Sequence, residues 1–261
     1  MQEILYSSYA ASVFKACLLA KIDGHALLKS KTEVTFSLFD TAQIDIDKVS
    51  SRDLYHKYCS YYGKINWLFS GEFSRFKKII NLVFRHKNAE KLRLIENVLQ
   101  ESLQYGLQFV LANASEDSRK LFTYYSSVAA DIHANKGLCR LQPLKENTLL
   151  GQIKTEHNTG DKILYFFTQR FPGNKIVLVD KNKDLAFIYD LKQVYITNGQ
   201  NYQNLYQNIQ SRDLYTDYWY LYYETQYIPE RKNPKLALKN LPQKRWNDSF
   251  EIEFLKKHLD K

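Results

Sequence analysis

The strongest constraint on the fold is the helical periodicity that fills the first half of the chain. From Asp53 onward, Leu54, Tyr58, Tyr61 and Tyr62 share one face of a helix that breaks at Gly63. Phe73, Phe76, Ile80 and Val83, with Phe84 beside it, step by three and four, which is the spacing of an amphipathic helix. Leu92, Ile95, Leu99, Leu103 and Leu107 predict a further helix over 89–110. After a turn at 113–118, Ser115 is placed to cap a helix through Leu121, Phe122, Tyr125 and Val128. Nearer the N-terminus, Tyr9, Val13, Cys17 and Ala20 predict a helix within 4–22, with Ser7 or Ser8 as N-cap and Gly24 as its end. The stretch from there to about Ser51 lacks a regular period and reads as a loop anchored by Leu38 and Phe39. The first half is therefore expected to be essentially all-helical.

The second half changes character. Gly151, Gly160, Pro172 and Gly173 divide it into short elements. Lys175 to Asp180 and Asp184 to Asp190 are rich in β-branched and aromatic residues, and Gln193 to Thr197 offers a third strand, which together predict a small antiparallel meander. Arg212 to Tyr227 reads as an aromatic helix. The expected class is α+β, a helical N-terminal half followed by a small antiparallel sheet with packed helices. The expected division is a helical region over 1–118 and an α+β region over 119–261, or one continuous domain.

Charge is concentrated rather than spread. Ile228 to Asn247 carries Arg231, Lys232, Lys235, Lys239, Lys244 and Arg245 against Glu230, punctuated by Pro229, Pro234 and Pro242 and closed by Trp246. Glu72 to Arg93 carries Arg75, Lys77, Lys78, Arg85, Lys87, Lys91 and Arg93 against Glu72 and Glu90, predicting a helix with a basic outer face. Each stretch holds a net +5, so the rest of a chain whose total is +9 is close to neutral. Such concentrations suit an anionic partner, nucleic acid above all. A solvated Lys-rich tail strapped to the core is the competing account. A membrane is not expected, because no stretch approaches the roughly 20 apolar residues of a spanning helix and the N-terminus lacks a basic segment before its apolar part. A soluble cytoplasmic protein is the expectation.

Motifs with checkable chemistry are missing: the sequence has no P-loop, no GxGxxG after a strand, no HExxH, no GxSxG and no HxE with PCxxC. Cys17, Cys59 and Cys139 form no CxxC pair and are odd in number, which argues against a disulfide framework or a structural zinc site, and no cofactor is expected. Of six histidines, two stand out by their neighbours. His133 precedes Lys136, Gly137 and Arg140, and His157 follows Glu156, whose carboxylate could orient or charge its imidazole. His133 and His157 are therefore the candidates for proton transfer, against the plainer reading of surface or structural histidines.

Four segments match, in order, the motifs of one bacterial family. His133 to Leu141 is similar to an HRFKGFLRF-like segment, keeping His133, Lys136, Gly137 and Arg140 but losing both outer aromatics. Lys154 to Asn158 is similar to an EPDHN-like segment, keeping His157 and Asn158 with Glu156 as the acid. Phe166 to Pro172 is similar to an HFARRFP-like segment, keeping Phe167, Arg170, Phe171 and Pro172, with Phe166 in place of its histidine. Glu230 to Pro234 and Leu241 to Trp246 are similar to ERRNP and MPKRYW-like segments, and Trp219 also stands where the family has a tryptophan. The first half agrees only at scattered points, notably Tyr6 and Ser37-Leu38-Phe39.

On these motifs the chain resembles a family of uncharacterised proteins described as DNA metabolism or DNA repair proteins. Its members are typically encoded beside a radical SAM protein, and some are fused to a uracil-DNA glycosylase domain. The resemblance implies DNA as partner, with a radical SAM protein or uracil-DNA glycosylase as protein partner, and it implies no particular reaction. The expected function is a DNA-binding accessory protein. Its phosphate contacts would come from Arg231, Lys232, Lys244, Arg245, Arg75 and Lys78, with Trp246 available to stack on a base. The alternatives are an enzyme acting on a nucleobase or N-glycosidic bond, with Lys136, Arg140 and Arg170 binding phosphate beside the histidines, and a module that docks an acidic protein.

Overall fold

A computed structural model describes residues 2–24, 26–33, 43–209 and 214–226, with 228, 230, 233 and 236. The class is α+β. Contacts divide the chain into two units: residues up to Asp131 together with Glu156–Thr159, and Ile132–Thr155 together with Gly160 onward. No helix among the described residues is long and apolar enough to cross a membrane.

The first unit is built on a strand that the helical pattern concealed. In β1 (Glu3–Tyr6) alternate side chains turn inward, and Ile4 and Tyr6 are fully buried. It lies between β2 (Leu27–Ser30) and β3 (Gln43–Asp45), parallel to both. Parallel neighbours need a crossover, and α1 (Ala10–Asp23) supplies it between β1 and β2. The helix stops at Gly24, whose φ of 68° is left-handed, a conformation that costs glycine little. The expected helix within 4–22 thus begins only at Ala10, after Tyr9 as N-cap, and the half expected to be all-helical contains a three-stranded parallel sheet. Strands of three or four residues are too short for their alternation to stand out beside a helical stripe.

Helices supply the rest of the unit. Ser50 Oγ accepts from the Asp53 N–H to start α2 (Ser51–Tyr62), which ends at Gly63, and Ser70 Oγ accepts from Phe73 to start α3 (Gly71–Val83). Next comes α4 (Lys91–Tyr105), followed by Gly106 at φ 89° and the short α5 (Leu107–Leu111), so the span 89–110 is two helices, not one. Ser115 caps α6 (Glu116–Leu138) by accepting from Ser118 at 2.9 Å, as its sequence position predicted. Phe76, Ile80, Ile95, Leu99, Leu107 and Leu121 close over Ile4 and Tyr6 in one core. The Glu72 to Arg93 segment is not a single basic helix, because α3 ends at Val83 and Arg93 belongs to α4. Leu38 and Phe39 lie outside the described residues.

The second unit carries a five-stranded sheet of order β4 (Leu141–Pro143), β5 (Thr148–Ile153), β6 (Lys175–Asp180), β7 (Leu185–Tyr189) and β8 (Val194–Asn198). The β6-β7-β8 part is the antiparallel meander that the sequence predicted. The whole sheet is mixed rather than antiparallel, since β5 pairs with β6 in parallel through α7 (Gly160–Arg170). Gly151, read from sequence as a break, lies inside β5. One core joins Ile163, Leu164 and Phe167 of α7 to Ile176, Leu178 and Phe187, and a second joins Leu150, Val177, Val179 and Ile188 with Tyr202 of α8 (Gln200–Ile209) against them. The chain continues into α9 (Leu214–Gln226), the helix predicted over 212–227.

Gly160 opens α7 directly on the Phe187 ring: a methyl group there would lie 2.2 Å from Phe187 Cε2. Gly160→Ala is expected to destabilise by about 1–3 kcal/mol, because a side chain in a filled core displaces its neighbours. Urea unfolding checks this, and a midpoint equal to wild type would show that Phe187 gives way freely.

Candidate functional site

A buried cluster of polar and titratable groups in the first unit lies where the α3–α4 turn, α6 and the segment 156–159 converge. A buried segment without regular structure must find acceptors for its N–H groups. Asp131 on α6 supplies them: its carboxylate accepts from the N–H of Glu156 (3.2 Å to each oxygen), the N–H of His157 (3.2 Å) and the hydroxyl of Thr159 (3.0 Å). The α3–α4 turn adds a reciprocal pair, in which the Asn158 N–H donates to the Arg85 carbonyl at 2.9 Å and Arg85 Nη1 donates to the Asn158 carbonyl at 2.9 Å. These bonds place the His157 side chain in the interior, where it is 1% exposed.

The ring hydrogen bonds of His157 fix its protonation. The Lys87 N–H donates to Nδ1 at 3.2 Å, and a backbone amide can only donate, so Nδ1 carries no proton. Nε2 then holds the proton of the neutral ring and donates it to Ser127 Oγ at 2.9 Å. His86 follows the same rule, with the Asn88 N–H donating to its Nδ1 at 3.2 Å. Its ring stacks on Tyr124 at 3.8 Å and 8°, and its centroid is 4.5 Å from that of His157. Burial first, then the neighbouring His157, Lys91 and Lys87, push the His86 pKa down to about 4. His86 is therefore uncharged at neutral pH.

This direction of hydrogen bonding decides what the cluster can do. A serine nucleophile needs a base that accepts its proton. Here His157 donates to Ser127 instead, so the pair is wired opposite to a Ser–His nucleophile. The same bonds make His157 a brace between α6, the α3–α4 turn and its own segment. No group of three or more His, Cys, Asp or Glu among the described residues could hold a metal ion.

The second unit has its own buried polar knot. The Thr155 hydroxyl donates to Asp180, and Lys183 Nζ donates to Thr155 Oγ1 at 2.8 Å. Asp180 also accepts from the backbone N–H of Thr155 and Asn182, tying the end of β5 to the turn after β6. Every one of these groups serves the link between strands.

The residues singled out from sequence are distributed over both units. His157 belongs to the first and His133 to the second, where His133 is exposed on α6. Lys136, one turn further on, sets its ammonium 4.7 Å from the Phe166 ring centroid, a cation–π contact. Arg140 is exposed just after α6, and Arg170 is exposed at the end of α7 with its guanidinium 5.9 Å from the Phe171 ring. Arg75 and Lys78 are exposed on α3, opposite its buried Phe73, Phe76, Ile80 and Val83. Arg231, Lys232, Lys244, Arg245 and Trp246 lie outside the described residues. Sequence reasoning missed His86, Tyr124, Ser127 and Asp131. The only local signal was a histidine just beyond a helical stripe, and His86 lies seventy-one positions from His157 with no motif to join them.

A family model described as a domain of unknown function, DUF4130, matches residues 89–251. The match spans more than half of the 261 residues, and the chain belongs to this uncharacterised family. No curated protein matches the chain.

Two outcomes follow from the cluster. Asp131→Ala strands the N–H groups of Glu156 and His157 in the interior and is expected to cost about 2–4 kcal/mol in urea unfolding; a loss below about 0.5 kcal/mol would show that the segment holds without it. For His86, the folded pKa of about 4 lies below the unfolded value near 6.5, so between these values the unfolded chain binds more protons. Stability is expected to fall as pH drops from 6.5 toward 4, His86 contributing on the order of 2–3 kcal/mol of that loss. His86→Phe keeps a ring against Tyr124 and should flatten the profile; equal slopes in the variant and wild type would refute the assignment.

Proposed function

We propose that this member of the DUF4130 family is a DNA-binding accessory protein of DNA repair or modification, which presents DNA to a radical SAM protein or a glycosylase. The observation that carries the reading is the placement of cations on a helix that cannot use them internally. Arg75 and Lys78 are exposed on α3 while the opposite face of that helix fills the core, in a chain whose net charge is +9. A packed helix fixes the backbone from which these cations reach, so that only their side chains are ordered on meeting a phosphate. The partner class comes from the resemblance of the 133–141, 154–158 and 166–172 segments to proteins of that context.

Chemistry on a base or glycosidic bond has less support. The two candidate histidines belong to different units, and His157 is wired as a donor to Ser127. A binding role asks nothing of either.

Fluorescence anisotropy with labelled DNA across a salt series tests the proposal. Affinity is expected to fall steeply with salt, as counterion release requires. Arg75→Gln with Lys78→Gln should weaken binding and lower the magnitude of the log–log salt slope by up to about two. No binding of single-stranded or duplex DNA at low salt would defeat the proposal.

A further inference from the structure

The α2–α3 segment, residues 51–83, lies before the residues matched by the family and carries aromatic rings where a core would not put them. Phe69, in the turn between the helices, is 85% exposed, the most exposed large hydrophobic among the described residues, and Tyr61 at the end of α2 is 66% exposed. A lone exposed apolar side chain is unremarkable, but rings collected on one element mark a binding surface. Phe69 stands edge-on to Tyr55 at 6.1 Å, so its orientation is supported from within the segment. Tyr61 lies beside Tyr62, which is itself fixed: its hydroxyl donates to the Lys21 carbonyl at 2.7 Å and Lys21 Nζ lies 5.3 Å from its ring. The faces of Phe69 and Tyr61 are thus presented on a supported scaffold.

Cations are dense in the same stretch of chain. Between Ser51 and Val83 there are six Lys or Arg against two acids, a net +4 in an element pair whose apolar face is already buried. Arg52, Lys57, Lys64, Arg75 and Lys78 are all exposed. Lys57 and Tyr61 are four residues apart on α2, so they are neighbours on one face. One of the two acids, Glu72, accepts from Gln108 Nε2 at 2.7 Å.

We infer that the α2–α3 segment binds single-stranded DNA, with Phe69 and Tyr61 stacking on unpaired bases and Arg52, Lys57, Lys64 and Arg75 holding the phosphates. The inference rests on the DNA-binding reading and adds its strand preference and contact surface. Exposed rings and exposed cations in one stretch of chain supply the two contacts that a sequence-tolerant single-strand site uses, because every base offers a π-face and every nucleotide a phosphate. A duplex keeps its bases stacked on one another and offers these rings nothing. An acidic protein would pair with the cations but would leave the two ring faces unexplained.

The test uses the full chain with a labelled 20-residue oligo(dT) and a 20-base-pair duplex, at the same salt. Phe69→Ala and Tyr61→Ala are each expected to weaken oligo(dT) binding roughly tenfold or more, leaving duplex binding and thermal stability unchanged because both side chains are exposed. Phe69→Trp should keep the affinity and show quenching of the new indole on oligo(dT). A Phe69→Ala/Tyr61→Ala double variant that binds oligo(dT) as wild type does would overturn the inference while leaving DNA binding in place. Wild-type protein that binds neither DNA defeats the general reading and the inference with it.

Discussion

One carboxylate holds the first unit's polar interior in order. Asp131 is buried on α6, and burying a carboxyl group is costly unless hydrogen bonds compensate. The compensation comes from the 156–159 segment, whose N–H groups and Thr159 hydroxyl converge on its two oxygens. The exchange is mutual, since without the carboxylate the same N–H groups would be stranded. His157 is where it is because of this clasp, and its ring bonds to Lys87 and Ser127 extend the clasp to the α3–α4 turn and back to α6. His86 then fills the remaining space as a flat plate between Tyr124 and His157. Burial first disfavours a charged imidazole there, and the neighbouring His157, Lys91 and Lys87 disfavour it further, so the ring stays neutral.

This order explains why an acid–histidine pair in sequence does not make an acid–histidine pair in space. Glu156 precedes His157, and the Glu156 carboxylate lies 3.8 Å from Lys87 Nζ. Asp131 is the carboxylate that holds the backbone N–H of His157. The 154–158 motif is legible as a shape requirement: an asparagine and a histidine whose backbone and ring atoms lock a buried turn.

What could be read from sequence follows the range of the forces involved. Helix stripes and caps are local, so α2, α3 and α6 were foreseen together with Ser115 and the stop at Gly63. The β6-β7-β8 meander was legible for the same reason, its strands being joined by short turns. The parallel pairings β1–β2, β1–β3 and β5–β6 were not, because each joins strands separated by twenty or more residues and leaves only a few positions of alternation. Gly151 and Gly160 read as punctuation but act as space. Gly151 sits within β5, where a methyl group would meet Leu141 and Cys139, and Gly160 admits the Phe187 ring. The His86–Tyr124–His157 cluster had no sequence signature, since its members come from three elements and their selection is by packing.

The division between interior and surface also bears on where function resides. In the buried cluster His157 spends both ring nitrogens on Lys87 and Ser127, and Asp131 spends its carboxylate on the 156–159 segment. The α2–α3 segment is arranged the other way: its aliphatic and aromatic stripe is spent on the core, and Phe69, Tyr61 and cations of the same stretch are left facing water. In the proposed reading the exposed Phe69 ring serves a ligand with π-faces, and the exposed cations of the same stretch serve its phosphates. The single-stranded DNA proposed above would meet both demands with one molecule, on a face of the first unit that its core does not use.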